Sequence, residues 1–488
     1  MQYLYGLMKH FVFFLTFTCF SLALAAQHKQ EMRAVWLTSN YNLDWPDKPA
    51  KEISDIYRQE KELDDILDQL QKIHINTIFL QARIRGDVIY YSEMEPYSPF
   101  VRSKSLGNKG ADLLHYAIEA CRKRGMECHA WFVVYPLGEK NASKKVSGKK
   151  HLLRSHKGEF YLDPGEPETE TYLLRLVREL VSEYDIDGLH FDYIRYPEKA
   201  ANFPDQATYK RYGKGENKAN WRRKNINRFV YKAYDLVKEL KPWVQVSSSV
   251  IGMHQKIPGN TSAHWSAYHD VYQDAADWLE KGKHDFIVPM MYYTDNLFFP
   301  FVSDWYSKSY GRFVVSGLGL YRMDKKEGNW TSDVISEQIR FSRENGMKGN
   351  AFYRAKHLLN NKKEILDEIA AHFYTRPALL PPLTWLSDTI PDAPDRVEVV
   401  CDGNTIRLSW PKQKENTFYN IYLSKTFPID TNDPENLLLA RTCENQCEIL
   451  VDDRITTGYY CVVTSYDRFH QESLPSFQAY FVTGVLEK

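Results

Sequence analysis

The sequence predicts an α/β chain in which a (β/α)8 TIM barrel is followed by a small all-β sandwich. Apolar, β-rich runs alternate with segments of helical apolar spacing about eight times over roughly 340 residues, the pattern and size of such a barrel. Beyond a proline-rich stretch, strand-like runs recur at short intervals, as in a sandwich of about seven strands. An open doubly wound sheet is the alternative for the first part, but no glycine-rich phosphate loop follows an early strand.

Each predicted barrel strand is a short apolar run next to a helical segment. The predicted strands are 31–38, 76–82, 126–133, a run within 184–197, 244–250, 286–292, 313–320 and 349–353. Predicted helices lie near 55–73, 112–124, 168–183, 221–240, 268–281, 332–344 and 361–373. The chain thereby divides into a barrel at 27–376, a proline-rich linker at 377–394 and an all-β domain at 395–488.

Residues 1–26 have the features of a cleavable secretory signal. A basic flank at Lys9 precedes the apolar run FVFFLTFTCFSLALA, and small residues stand at Ala23 and Ala25. Because the apolar run is shorter than the ~20 residues that span a bilayer, a membrane anchor is the weaker interpretation. We therefore expect an exported protein, periplasmic, cell-surface or secreted, with no membrane span once the signal is removed.

The composition argues against several partners and cofactors. Lys plus Arg and Asp plus Glu both number 63, so no global field favours nucleic acid. The cysteines beyond the signal lack the spacing of a zinc site, and no metal, nucleotide or flavin cofactor is predicted. Cys121–Cys128 and Cys443–Cys447 are candidate local disulfides in an exported protein, with free buried thiols as the alternative.

The stretch YDIDGLHFDYIRYP, residues 184–197, carries the leading candidate for chemistry. Side chains alternate along a strand, so His190 and Asp192 share one face. Asp192 lies near the C-terminal end of the fourth predicted strand, where barrels of this kind hold their functional groups. The run is too apolar to leave a carboxylate without a partner or a purpose, and pairing with Arg195 is the structural alternative.

Four motifs together resemble the glycosyl-hydrolase-like 10 family: DGLHFDYIRYP around Asp192, QARIRGDVIYYS at 81–92, CHAWF at 128–132 and YLDPG at 161–165. The resemblance runs through most of residues 31–372 and implies a barrel enzyme that hydrolyses glycosidic bonds. Laid on the DGxDxDxE strand of family 18 chitinases, Asp192 matches the middle aspartate, but Ile194 stands where those enzymes have their acid.

The all-β part also has a resemblance. Its run TIRLSW, which ends at Trp410, and its residues 459–476 are similar to a fibronectin type III module. Such a module implies a role in spacing or docking domains, and no chemistry is assigned to it.

Glycosidic cleavage generally uses two carboxyl groups, one on either side of the bond. With Asp192 as the first, the candidates for the second are Asp163 in LDPG and Asp295 after the sixth strand, followed by Glu93 and Glu95 in the loop after the second strand. Asp163 has a structural alternative, since Asp-Pro-Gly is ordinary turn chemistry. The structural alternative for the other three candidates is a solvated acid on the surface; these are Asp295, Glu93 and Glu95.

Polar and aromatic groups at or just beyond strand ends are predicted to line a sugar cleft. The candidate substrate-binding residues are Asn40, Gln81, Arg83, His129, Trp131, Arg195, Tyr292 and Arg354. Arg83 and Arg195 are also candidates to bind an acidic substituent such as a uronate or lactyl group.

The resulting hypothesis is an exported glycoside hydrolase that acts on a polysaccharide or glycan through Asp192 and a second carboxylate. The alternative from another class is a glycan-binding barrel that has lost catalysis and is presented by the fibronectin-like module. A carbohydrate deacetylase is a weaker interpretation because no metal-ligand spacing supports it.

Overall fold

The computed structural model describes residues 27–139, 145–146, 148–261, 265–402, 405–414, 417–450 and 457–483. The signal segment at 1–26 lies outside these ranges and stays a prediction. Within the described ranges, no helix combines the length and the apolar character needed to cross a bilayer. The same residues include no group of three or more His, Cys, Asp or Glu side chains placed to hold a metal ion.

The first part of the chain is a closed barrel of parallel strands. In chain order its strands are β1 (Met32–Leu37), β2 (Thr77–Arg83), β3 (Glu127–Val133), β4 (Pro136–Gly138), β5 (Leu153–His156), β6 (Glu159–Leu162), β7 (Gly188–Asp192), β8 (Gln245–Ile251), β9 (Phe286–Met290), β10 (Phe313–Val314), β11 (Ser316–Gly319) and β12 (Gly349–Tyr353). All except β4, β5 and β6 pair in parallel, and β12 pairs with β1 to close the ring. The predicted TIM barrel is confirmed.

Helices cover the outside of this barrel. They are α1 (Ile53–Lys72), α2 (Leu113–Lys123), α3 (Pro167–Glu183), α4 (Gln206–Tyr212), α5 (Lys218–Leu240), α6 (Ala267–Asp270), α7 (Ala275–Glu280), α8 (Phe299–Ser307), α9 (Ser332–Glu344), α10 (Ala355–Leu359) and α11 (Ile365–His372). In α1, the residues Ile56, Leu63, Leu67 and Leu70 recur at helical spacing and are buried, which packs that face against the strands.

Two strand features differ from the sequence expectations. The predicted seventh strand at 313–320 is interrupted at Val315, so that β10 pairs with β9 alone whereas β11 pairs with both β9 and β12. A small antiparallel sheet of β4, β5 and β6, which the sequence reading did not include, extends the loop after β3. The predicted site residue Asp163 directly follows the last strand of this sheet.

The C-terminal part consists of two antiparallel sheets. Its strands are β13 (Glu398–Asp402), β14 (Thr405–Ser409), β15 (Phe418–Ser424), β16 (Leu437–Thr442), β17 (Gln446–Leu450), β18 (Thr457–Tyr466) and β19 (Ala479–Thr483). One sheet has the order β13-β14-β17 and the other β16-β15-β18-β19. Leu408, Trp410, Ile421 and Val463 form a core between them. The all-β prediction is confirmed, and the fibronectin type III resemblance stays a prediction.

The proline-rich segment packs beneath the barrel. Leu380 and Leu383 join the apolar cluster inside the barrel, and Trp385 Nε1 donates to Asp285 Oδ1 at 2.9 Å, next to the start of β9. The C-terminal sheets then contact the same end, where His470 pairs with Glu127 at 2.7 Å. The N-terminal ends of the barrel strands are therefore covered, and the C-terminal ends remain open.

The cysteines of the described residues are all free thiols. Cys121 and Cys128 are buried side by side, and contact with Cys121 together with burial raises the pKa of the Cys128 thiol. The cysteines of both candidate disulfides are therefore free thiols in the structure.

Candidate active site

A pocket of about 260 Å³ opens at the C-terminal ends of the barrel strands, the end at which parallel barrels hold their functional groups. The lining residues are Trp36, Thr38, Asn40, Leu43, Gln81, Ile84, Arg85, Trp131, Val133, Asp192, Tyr193, Arg195, Ser249, Met290, Tyr292, Tyr321 and Tyr353. Six of the residues predicted from the sequence are among them: Asn40, Gln81, Trp131, Asp192, Arg195 and Tyr292. Within the described lining, Asp192 is the sole carboxylate.

Asp192 is the last residue of β7 and is 6% exposed. Trp131 Nε1 donates to its Oδ2 at 3.1 Å, and the backbone N–H of Tyr193 donates to its Oδ1 at 2.7 Å. Burial raises the pKa of Asp192 from its ordinary 3.8 to about 6, against the opposing effect of these hydrogen bonds and of nearby Arg195. Asp192 therefore keeps its proton in mildly acidic solution, as a carboxyl that protonates a leaving group must.

The residue after Asp192 has a left-handed backbone conformation. Tyr193 has a φ of 50°, which is uncommon for a residue other than glycine and costs conformational energy. The turn directs its N–H at the Asp192 carboxylate and leaves the ring in the pocket wall, 4.8 Å from the guanidinium carbon of Arg195. Local strain at this point thus serves the placement of the carboxylate.

Three tyrosines form an aromatic wall of the pocket. The rings of Tyr292 and Tyr353 stack with centroids 5.8 Å apart, and Tyr321 meets them edge-on at 5.6 and 5.9 Å. Burial, and the charge of Asp192, raise the pKa values of Tyr292 and Tyr353 well above the ordinary value. Their hydroxyls therefore stay protonated and can exchange hydrogen bonds with sugar hydroxyls, while the rings offer apolar faces.

Gln81 is held for hydrogen bonding on the opposite wall. Its Oε1 accepts from Thr38 Oγ1 at 2.6 Å and from the backbone N–H groups of Ser39 and Asn40 at 3.1 and 3.0 Å. Three donors on one carbonyl oxygen fix the amide plane. Because none of the described residues accepts a hydrogen bond from its Nε2, the NH2 group is available to a ligand.

The pocket floor rests on a polar layer inside the barrel. Trp36 Nε1 donates to His190 Nε2 at 3.1 Å, and the ring nitrogens of His190 lie 2.8 Å from the hydroxyls of Ser247 and Ser249. Burial holds the pKa of His190 well below its ordinary value, so the ring is neutral. His190, one strand period before Asp192, thus positions Trp36 and Ser249 in the floor.

Arg83 lies outside the pocket lining, and its charge is already paired. It is fully buried and binds both carboxylate oxygens of Glu95 at 2.6 and 2.7 Å. Its remaining donors bind the carbonyl oxygens of Val133 and Val134. Of the two arginines considered for an acidic substituent, the pocket thus contains Arg195 and not Arg83.

His129 and Arg354 also lie outside the lining. His129 is buried in the barrel, where its Nε2 is 2.9 Å from Glu127 Oε2. Arg354 is at the rim and donates to the carbonyl oxygen of Leu43 at 2.6 Å while pairing with Asp44. His129 therefore belongs to the barrel interior, and Arg354 braces the loop that includes the lining residue Leu43.

Asp163 has the contacts of a structural residue. It is fully buried after β6, where its Oδ2 pairs with Arg154 at 2.8 Å and accepts from Thr208 Oγ1 at 2.6 Å. Its Oδ1 accepts from the backbone N–H of Gly165 at 2.9 Å, and any Cβ at Gly165 would lie 2.3 Å from Trp221. These contacts favour the turn interpretation of LDPG.

The other candidate carboxylates lie elsewhere too. Asp295 is exposed in a single helical turn after β9, and Glu93 is exposed in the loop after β2. Glu95 is the buried partner of Arg83. The structure thus brings none of them into the described lining beside Asp192.

Sequence reasoning missed several lining residues, chiefly Trp36, Tyr193, Tyr321 and Tyr353. Tyr353 directly precedes the predicted Arg354 and is the last residue of β12. A rule that took the last aromatic of each barrel strand would have found it, and the aromatic after VVSGLGL would have identified Tyr321.

Two relatives are at least 30% identical to this chain over the aligned residues. The chain is 30% identical over 484 residues to glycosyl hydrolase YngK of Bacillus subtilis (strain 168), covering 92% of this chain and 93% of that one. It is 32% identical over 298 residues to glycosyl hydrolase DigH of Escherichia coli (strain K12), covering 56% of this chain and 67% of that one.

Among solved structures, the chain is similar to alpha-L-fucosidase isoenzyme 2 from Paenibacillus thiaminolyticus, with a TM-score of 0.48 and 16% identity over 72% of this chain and 52% of that one. It is also similar to the catalytic domain of a beta-amylase from Paenibacillus polymyxa, with a TM-score of 0.47 and 11% identity over 72% of this chain and 99% of that one.

The model of the family described as glycosyl hydrolase-like 10 matches residues 31–315. This range extends from β1 through β10 and includes the strand that ends in Asp192. It covers more than half of the chain, and the alignment to YngK covers nearly all of it. The chain therefore belongs to the glycosyl hydrolase-like 10 family.

Proposed function

We propose that this protein is an exported glycoside hydrolase that cleaves O-glycosidic bonds in a polysaccharide or glycan, with Asp192 as general acid. The observation that carries the proposal is the state of Asp192: a buried carboxyl with a pKa of about 6, on the floor of a pocket walled by tyrosines and tryptophans. Family membership supports the reaction class. The signal-like segment at 1–26 supports export to the periplasm, cell surface or medium.

In the proposed reaction Asp192 donates its proton to the leaving oxygen while the bond to the anomeric carbon breaks. Trp131 and the backbone N–H of Tyr193 hold the carboxyl in place and stabilise the carboxylate that remains. Tyr292, Tyr353 and the free NH2 group of Gln81 supply hydrogen bonds to the sugar. Water then adds to the anomeric carbon and restores a proton to Asp192.

The group that activates this water, or attacks first, comes from outside the described lining. Two carboxylates outside the described lining are bonded to lining residues: Asp44 Oδ2 accepts from the backbone N–H of Thr38 at 2.9 Å, and Glu159 Oε1 accepts from Arg85 at 2.6 Å. Burial raises the pKa of Asp44. Although burial opposes the change, hydrogen bonds from Tyr161 and Arg85 lower the pKa of Glu159. One carboxyl with a raised pKa and another with a lowered pKa near one pocket suit an acid and its ionised partner. Glu159→Gln is therefore the first variant with which to look for the second group.

Sugar release from a panel of bacterial-wall, plant and host glycans tests the proposal. Wild type should release reducing ends from at least one member, and Asp192→Asn should lower the rate about 10²–10⁴-fold with an unchanged circular dichroism spectrum. Asp295→Asn, at an exposed position, is the matched control and should retain full activity. Full turnover by Asp192→Asn would overturn the assignment.

The second candidate function is a glycan-binding barrel without catalysis. The single carboxylate in the described lining favours it, because cleavage generally requires two. Retention of a glycan from the same panel on immobilised wild-type protein, without release of reducing ends after prolonged incubation, would establish this function in place of the first.

A further inference from the structure

A second cavity of about 580 Å³ adjoins the Asp192 pocket on the same face of the barrel. The two share the lining residues Asn40, Ile84 and Arg85 and therefore adjoin each other; together they are called the cleft. The Asp192 pocket alone is smaller than the ~300–1,000 Å³ of usual small-ligand sites, whereas the second cavity falls inside that range. The cleft as a whole therefore offers much more room than cleavage of a minimal disaccharide requires.

We propose that the second cavity is a distal subsite that binds further sugar units of the same glycan chain, stacked on the ring pair Tyr41 and Phe100. This inference rests on the proposed function, because it takes the chain being cleaved at Asp192 as the occupant. Its consequence is a preference for long chains over short ones.

An aromatic shelf forms one side of this cavity. Tyr41 is 59% exposed, although burying a large ring is normally favourable, and its ring lies 4.7 Å from that of Phe100. Both residues line the cavity. A sugar ring has an apolar face of C–H groups, so an exposed pair of rings at the side of a cleft suits stacking of a neutral pyranose.

The shelf is held rigidly before any ligand arrives. Asn42 Nδ2 donates to the carbonyl oxygens of Pro46 and Phe100, both at 2.6 Å, and thereby joins the loop after β1 to the loop that carries Phe100. Tyr41 has a φ of 54° in this loop. A preformed shelf loses little conformational entropy on binding.

An unsatisfied polar atom stands at the junction of the two cavities. The side-chain Oδ1 of Asn40 is buried and has no hydrogen-bond partner among the described residues. The backbone N–H of the same residue donates to Gln81 Oε1 at 3.0 Å, which ties it to the wall of the Asp192 pocket. A buried acceptor without a partner is costly unless a ligand satisfies it, and a sugar hydroxyl crossing from one cavity to the other is a suitable donor.

The remaining wall is polar enough for a hydrated chain. Arg85 lies at the junction, paired with Glu159, and Lys145 pairs with Asp87 at 2.7 Å. Arg102 and Lys104 also line the cavity, so its described wall has more basic than acidic side chains. These groups offer hydrogen bonds to sugar hydroxyls.

The experiment compares chain lengths. Oligosaccharides of two to six units, labelled at the reducing end, are prepared from whichever polysaccharide wild type cleaves, and kcat/KM is measured for each. Wild type should prefer the longest chains. Tyr41→Asn removes the ring while tolerating the left-handed backbone, and should reduce the advantage of the longest over the shortest cleaved chain about three- to tenfold.

Two further variants separate the shelf from general effects. Tyr41→Phe keeps the ring and should restore the long-chain advantage. Tyr310→Asn is the matched control, because Tyr310 also has a positive φ, 49°, and is 53% exposed, but lies just before β10 at the opposite end of the barrel. Phe100→Ala provides a second removal of the shelf if Tyr41→Asn does not fold.

Each outcome is decisive. Cleavage by wild type without a preference for long chains, or a long-chain advantage that both shelf removals leave unchanged, overturns the subsite while the hydrolase proposal stands. Absence of cleavage by wild type on the whole panel overturns the proposed function, and the subsite with it. Loss of the advantage in the shelf variants but not in Tyr310→Asn supports the subsite.

Discussion

Two aspartates at opposite ends of one barrel strand have nearly equal burial and very different surroundings. Asp187, just before β7, is 7% exposed, and Asp192, at its end, is 6% exposed. Arg441 of β16 and Arg468, just after β18, approach Asp187 Oδ1 at 2.7 and 3.4 Å. Asp192 receives hydrogen bonds from an indole and a backbone N–H.

The partners of the two buried carboxylates, and not the extent of their burial, distinguish Asp187 from Asp192. Two guanidinium groups compensate the charge of Asp187, which fastens the C-terminal part to the barrel. Among the described residues Asp192 has no such ion pair, and burial raises its pKa to about 6. This agrees with the general division of barrels into a stabilising N-terminal face and a reactive C-terminal face.

The largest expected effect concerns stability at the Asp187 end. Asp187→Asn keeps an acceptor for the backbone N–H of Cys128, which donates to its Oδ2 at 2.9 Å, but leaves the buried guanidinium of Arg441 undercompensated. We expect the free energy of unfolding at pH 7 to fall by about 3 kcal/mol. Urea unfolding followed by tryptophan fluorescence measures it. Activity per folded molecule should not change, and its loss would place Asp187 in the reaction.

The next expected effect is a gain in stability, at Asp192. The folded protein raises the pKa of Asp192 from 3.8 to about 6. The resulting cost in stability is absent below pH 3.8, where both states are protonated, grows as the pH rises from 3.8 to 6, and stays at about 3 kcal/mol above pH 6. Asp192→Asn removes the cost, although its NH2 group would meet the N–H of Trp131. We expect a net gain of about 2 kcal/mol at pH 7 that nearly disappears at pH 4.

Unfolding curves of wild type and Asp192→Asn at these two pH values measure the gain. An equal difference at both would mean that ionisation of Asp192 is not its source. A loss of stability at pH 7 would contradict the raised pKa itself.

The third effect is on rate. A general acid must hold its proton, so log kcat/KM should fall by one unit per pH unit above a midpoint near pH 6. Initial rates on the best glycan of the panel between pH 4 and pH 9 give the profile. A fall on the acidic side of pH 6, with a plateau above it, would assign Asp192 the role of ionised nucleophile or base instead.

The sequence predicted the barrel well because its strands are continuous apolar runs between amphipathic helices, a pattern set by local periodicity. The small sheet of β4 to β6 was missed because its strands are only three or four residues long. A signal was present in Lys157-Gly158, which have φ values of 50° and 84° between β5 and β6, as a two-residue hairpin turn requires.

The candidate site was predicted in part. Position at a strand end sufficed for Asp192, Gln81 and Trp131, because closure of the barrel brings strand ends together. The same rule selected Arg83, whose role depends on Glu95 folding back from the following loop. Such pairing across a loop depends on tertiary structure that periodicity does not encode.

The smallest expected effect sharpens the account of Asp192. The hydrogen bond from Trp131 Nε1 favours the ionised carboxylate, so Trp131→Phe should raise the pKa of Asp192 further, by about half a unit to one unit. The midpoint of the pH–rate profile should move upward by that amount. Trp36→Phe is the matched control, because Trp36 also lines the pocket but donates its N–H to His190, and its profile should keep the wild-type midpoint. Equal shifts in both variants would mean that lost aromatic packing, and not the hydrogen bond, governs the proton on Asp192.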